Sequence, residues 1–208
     1  MEELHLTNVS READRTTRAL RALAQRGFER TGRQNDQSAR QTANDSAGSS
    51  DVGSQFVMNY AIWRVFGTTE LAQELQFQAW SDWGHLKREV VSAAMRLWSR
   101  KVPCFTDAYS PAKIFRSAES KIRDRDSEDS ELQAVEFYNK FVETRLKPLW
   151  GKRSLIAEIA QSTRSWKQTT QELMKVKWYG GTGFAAKEVV QDLLHTPLFM
   201  DQAVGGSQ

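Results

Sequence analysis

The chain of 208 residues contains one cysteine, four prolines and three histidines. Cys104 alone cannot close an internal disulfide, which excludes a disulfide-stapled scaffold and a cysteine-rich zinc site with it. His5, His85 and His195 lack the spacing of a helical metal pair, and no metal or cofactor is implied. There is no run of about 18 apolar residues, so no transmembrane helix and no membrane partner are expected. The N-terminus opens on Glu2 and Glu3 and develops no apolar segment, unlike a signal peptide. The expected setting is a reducing, intracellular one, the nucleus in a eukaryotic cell. No GxxxxGK[ST] occurs, so the chain is not by itself the ATP-binding half of a P-loop kinase. Lysine is missing before Lys87, where every base is arginine, and residues 1–50 hold a single aromatic, Phe28.

What is present lies further along. Seven tryptophans, from Trp63 to Trp178, mark where a core must form. The net charge of +3 permits nucleic-acid binding without demanding it, so the placement of the lysines matters more than their sum.

The periodicity is helical throughout. Val9, Ala13, Leu20, Leu23 and Ala24 recur at three- and four-residue steps, predicting a helix within 1–30. Residues 31–54 are Gly, Ser, Asn, Gln, Asp and Thr with little else, and read as a disordered polar insertion. A helical core is expected over 55–208. Phe56, Tyr60, Trp63 and Phe66 share a stripe ended by Gly67; Leu71, Leu75 and Ala79 mark a second helix; Leu86, Val90, Ala93 and Leu97 a third. Ser110-Pro111 is a helix start, and the charged run 117–131 reads as a solvated helix end plus loop. Leu132 to Leu146 and Leu155 to Ser162 continue the pattern, and Thr169 to Glu172 spell a capping box. No strand-period run of useful length appears. The fold class is therefore all-α, with seven or eight helices.

One segment carries chemistry. Between Leu173 and Val190 a short helix gives way to Gly180, Gly181, Thr182 and Gly183, and a helix of small residues follows at once. Glycines leave backbone N–H groups uncovered, and the start of a helix offers free N–H groups to an anion. Lys175, Lys177 and Lys187 flank this turn, so Gly181, Thr182, Gly183 and the three lysines are candidate DNA-phosphate contacts. A plain connector between two packed helices is the competing reading.

Four segments carry a resemblance. They are Thr7-Asn8-Val9-Ser10-Arg11-Glu12-Ala13-Asp14-Arg15, Asn59-Tyr60-Ala61-Ile62-Trp63-Arg64-Val65-Phe66, Phe105-Thr106-Asp107-Ala108-Tyr109, and Gly181-Thr182-Gly183-Phe184-Ala185-Ala186 through Asp192-Leu193 to Thr196-Pro197-Leu198. In this order they resemble the helical domain of the 5-hydroxymethyluracil DNA kinases and alpha-glutamyl/putrescinyl thymine pyrophosphorylases. Those are DNA base-modification proteins related to the helix-hairpin-helix DNA glycosylases. The resemblance implies a glycosylase-like helical fold with a helix-hairpin-helix at 170–195, and DNA as partner. It makes Asn8, Arg11, Asp14, Arg15, Arg64, Phe66 and Tyr109 family-motif residues. Ala185 stands where lyase-type glycosylases carry a nucleophilic lysine, so strand cleavage through a Schiff base is not expected. Asp192 and Asp201 are the candidate acid–base groups. The implied activity is a transfer on a modified thymine or 5-hydroxymethyluracil base, displacing pyrophosphate with an amine donor or working beside a partner kinase domain. The alternative is a non-catalytic DNA- or protein-binding module, a truncated or degenerate member. A flipped base could stack on one of Trp63, Trp80, Trp83 and Trp98, although most of these are expected in the core.

Overall fold

The computed structural model describes residues 48–107, 110–124 and 129–199, together with Arg18, Ala19, Ala22, Leu23, Gln25 and Arg26. These residues form helices and no strand; one isolated bridge joins Gly67 to Phe105. The helices are α1 (Gly48–Phe66), α2 (Thr69–Leu75), α3 (Trp83–Ser99), α4 (Ser110–Arg123), α5 (Ser130–Arg145), α6 (Lys147–Trp150), α7 (Arg153–Thr163), α8 (Trp166–Met174) and α9 (Phe184–Leu193). The all-α expectation holds. The six described residues before α1 are helical, and Leu23 is buried in the core.

Helix α1 is the axis of the molecule. Val57, Met58, Tyr60, Ala61, Ile62 and Trp63 are all buried, so apolar side chains leave it on every side. A helix that is apolar all round must be surrounded. Helices α7 and α9 pack on it and α8 packs on both of those; α2 and α4 also meet it, with α5 packed on α4 and α3 on α2 and α5. Phe66 lies flat against Phe105, with ring centroids 4.8 Å apart, and both rings meet Phe141 edge-on.

Three differences from the sequence reading have physical causes. First, α1 begins inside the stretch read as a polar insertion. Gly53, Ser54 and Gln55 are buried in it, because small polar side chains fit a close helix contact while giving no apolar signal; residues 31–47 lie outside the described residues. Second, α2 stops at Leu75 rather than running to Ala79. The backbone of Gln78 and Trp80 is claimed by two buried amides of α1. The Asn59 side chain donates to the Gln78 carbonyl at 2.8 Å and accepts from its N–H at 3.0 Å, and Gln55 does the same for Trp80 at 3.3 and 2.9 Å. An extended chain whose polar groups are met in this way has no need of helical bonds. Third, α8 starts at Trp166, capped by Ser165, which accepts from the Gln168 N–H at 3.3 Å. Thr169 and Thr170, read as its capping box, are buried inside the helix.

The charged run 117–131 also departs from a solvated reading. Glu119 is fully buried on α4 and accepts from the Tyr138 hydroxyl at 2.8 Å, the Cys104 N–H at 3.1 Å and Arg123 at 3.2 Å. A carboxylate is buried only when its oxygens are met by donors, and these are. Burial, with the Glu119 charge next in size, pushes the Cys104 thiol up to about 12.

Candidate functional site

The turn between α8 and α9 is built from left-handed backbone. Trp178, Gly181 and Gly183 have φ of 80°, 65° and 70°. Val176 and Tyr179 point inward and are buried, which pins the turn to the core and leaves Lys177, Trp178, Gly181 and Thr182 outside. Gly183 is the N-cap of α9 and, being glycine, brings no side chain of its own to the first N–H groups of the helix. A Cβ at Gly183 would stand 2.9 Å from the Met174 sulfur, so the glycine also lets α9 return against α8. The opening N–H groups of a helix have no partner within it and attract negative charge. Lys187 sits one turn in and is exposed.

The lysines before the turn border an open groove of about 300 Å³, lined by Pro148, Lys152, Glu172, Lys175, Val176 and Lys177. Glu172 pairs with Lys175 at 2.5 Å, which leaves the groove with an excess of two positive charges, three lysines against one carboxylate. Lys177 reaches the other way too, with Nζ 5.3 Å from the centre of the Trp178 ring. The Arg145 guanidinium lies 3.9 Å from that ring and 4.7 Å from Phe115, clasped between an α4 side chain and the turn. Trp178 remains 48% exposed. A non-glycine residue held at positive φ costs on the order of 1–3 kcal/mol, and such strain persists where the surroundings enforce it. Here the buried neighbours Val176 and Tyr179 enforce it.

Asp192 is elsewhere. Nine positions beyond Gly183, it lies roughly 13 Å along α9 from the turn. Its carboxylate is 3% exposed and takes a two-pronged bond from Arg64, Nε to Oδ2 at 2.5 Å and the terminal nitrogen to Oδ1 at 2.7 Å. Glu188, one turn earlier on α9, stands 3.7 Å from the same guanidinium. Two acids on one face of α9 thus hold one arginine of α1. Such a fork fixes the rotation and height of α9 on α1. Asp192 faces this clamp.

Three of the four segments of the resemblance meet in space. Arg64 joins Asp192, and Phe66 stacks on Phe105, while the Thr106 N–H donates to the Phe66 carbonyl at 3.0 Å. Thr196 and Leu198 are buried and close the far end of α9. Asn8, Arg11, Asp14, Arg15, Tyr109 and Asp201 lie outside the described residues. No family model matches the chain, and neither a curated protein nor a solved structure does.

The tryptophans divide cleanly. Trp63 and Trp80 are buried, and Trp83 and Trp98 pack against the core, the latter under Arg123 at 4.5 Å. None of these four is as exposed as Trp178. Trp178 and its partner Arg145 were not singled out by the sequence, since an aromatic four residues after the apolar helix position Met174 reads as one more core residue. The signal available was local: Lys177-Trp178 abuts the glycine turn.

Proposed function

We propose that this chain is a DNA-binding helical domain that grips the phosphate backbone with the segment from Lys175 to Lys187. The observation that carries the reading is the glycine-led start of α9 behind Gly183, with Lys187 one turn in and the groove of Lys152, Lys175 and Lys177 just before the turn. Helix starts and lysines are the ordinary means of holding phosphate oxygens. The order of its sequence segments makes a modified thymine, with 5-hydroxymethyluracil first, the base class in which to look for preference. Asp192 is spent on Arg64, which favours a module that holds DNA over one that carries the acid–base group at that position. In the transferase reading, Asp201 would supply the acid and an amine donor the nucleophile.

The test is anisotropy of a labelled duplex, with thymine or 5-hydroxymethyluracil at one position, titrated at several salt concentrations. Phosphate recognition predicts that log K falls linearly with log salt, at a slope of roughly −0.9 for each contact. Lys187→Glu should flatten that slope by about one contact and weaken both duplexes alike. A flat salt response defeats the reading. Incubation of the modified duplex with amine donors, followed by base mass, tests transfer separately.

A further inference from the structure

We propose that Trp178 is a stacking platform for an unpaired nucleobase, whose flanking phosphates lie in the groove of Lys152, Lys175 and Lys177. This rests on the DNA-binding reading and names the form of nucleic acid that the site takes. Three independent observations converge. Trp178 is the one residue of the turn that combines a large apolar ring, 48% exposure and an enforced left-handed backbone at φ 80°. Its ring is backed by Arg145 at 3.9 Å, so it is presented as a firm surface and not as a loose side chain. Lys177 is shared, lining the groove and lying 5.3 Å from the ring centre, so a phosphate in the groove and a base on the ring would be neighbours on one strand.

The chemistry selects the ligand. Bases in a duplex stack on each other and hide their faces, whereas an unpaired base offers a π-face to an aromatic side chain. A groove of about 300 Å³ with an excess of positive charge suits a sugar–phosphate link. An aromatic ring beside a lysine-lined groove is the pairing that single-stranded nucleic acid uses, because stacking and charge then act on alternate parts of each nucleotide.

Three labelled probes of equal length separate the possibilities: a thymine single strand, the same strand with abasic sugars, and a duplex. For the unaltered protein, the thymine strand should bind about tenfold more tightly than its abasic counterpart, as expected of one stacked base. Trp178→Ala should remove that difference and leave the abasic strand and duplex unchanged, whereas Trp178→Phe should keep most of it. Lys152→Glu should weaken all three. Equal affinity of the unaltered protein for thymine and abasic strands overturns the proposal without any variant, and so does a Trp178→Ala protein that keeps the preference. If duplex and abasic strand bind with a steep salt dependence and no base preference, only the stacking proposal fails. If none of the three binds at low salt, the DNA-binding reading fails, and this proposal with it.

Discussion

Arg64 and Asp192 show how a residue proposed for chemistry can be committed to architecture. Both are nearly buried, at 10% and 3% exposure, and each satisfies the other with two bonds. Removing one partner strands a charge, which in buried pairs costs about 3 kcal/mol or more. Asp192→Asn should therefore lower stability by about that amount in urea denaturation, even if no reaction depends on Asp192. Replacing both ends, Arg64→Met with Asp192→Leu, should cost clearly less than the sum of the single changes. An Asp192→Asn protein as stable as its parent would show that Glu188, at 3.7 Å, suffices to hold the arginine. Tyr179 is the opposite case. It is 1% exposed, its hydroxyl has no hydrogen-bond partner among the described residues, and burial pushes its phenol further up from the ordinary value. Tyr179→Phe removes a polar atom that gains nothing by being there, so the protein should keep its stability or gain about 1 kcal/mol. A loss of that size in the same denaturation assay would mean that the hydroxyl is bonded.

At the scale of elements, the α8–α9 turn is the part whose geometry can be tested most directly. Gly181 faces open space, so Gly181→Ala meets only the left-handed φ of 65° and should cost about 1 kcal/mol. Gly183→Ala adds contacts of 2.9 and 3.0 Å with the Met174 sulfur and methyl to a φ of 70°, and should cost more. Met174→Ala in the Gly183→Ala background should recover part of the difference, because the thioether is what the new methyl meets. Equal melting temperatures for the two alanine variants would show that packing against Met174 sets nothing. The existence of this turn was legible, since three glycines between two apolar-periodic runs mark a break. Its left-handed tryptophan was not, because no residue pattern encodes positive φ at a bulky side chain; only Val176 and Tyr179, fixed by the core, impose it. The same division runs through the fold. Helices with a clean stripe, such as α3 with Leu86, Val90, Ala93 and Leu97, were legible at once. The Asn59 and Gln55 contacts that end α2 were not, because they join residues 19 and 25 positions apart. The buried Glu119 was hidden in the same way, since its donors Tyr138 and Cys104 come from other parts of the chain.

For the whole molecule, two sets of charged contacts hold different halves. Arg64 and Asp192 tie α1 to α9, while Glu74 joins α2 to Arg96 of α3 and to Arg100 just beyond it, and Glu143 of α5 meets Lys147 at 2.5 Å and Lys87 of α3 at 3.3 Å. The Glu74 carboxyl is held below the usual 4.5, chiefly by its bond from Arg96, and Glu143 likewise by Lys147. A carboxylate with a lowered folded value binds its proton more readily in the unfolded chain. Its stabilisation is therefore complete above 4.5 and is lost as the pH falls through the lower, folded value. Both pairs are partly exposed, so each contributes under about 1 kcal/mol and less at high salt. Urea midpoints taken from about pH 7 to about pH 3 should accordingly hold level and then decline on the acid side of 4.5. The double variant Glu74→Gln with Glu143→Gln should begin slightly lower at neutral pH and decline less steeply, since it has two fewer sites to protonate. If parent and variant instead fall in parallel, the acid limb belongs to other carboxylates, and the α2–α3–α5 side is held by its aromatic packing alone.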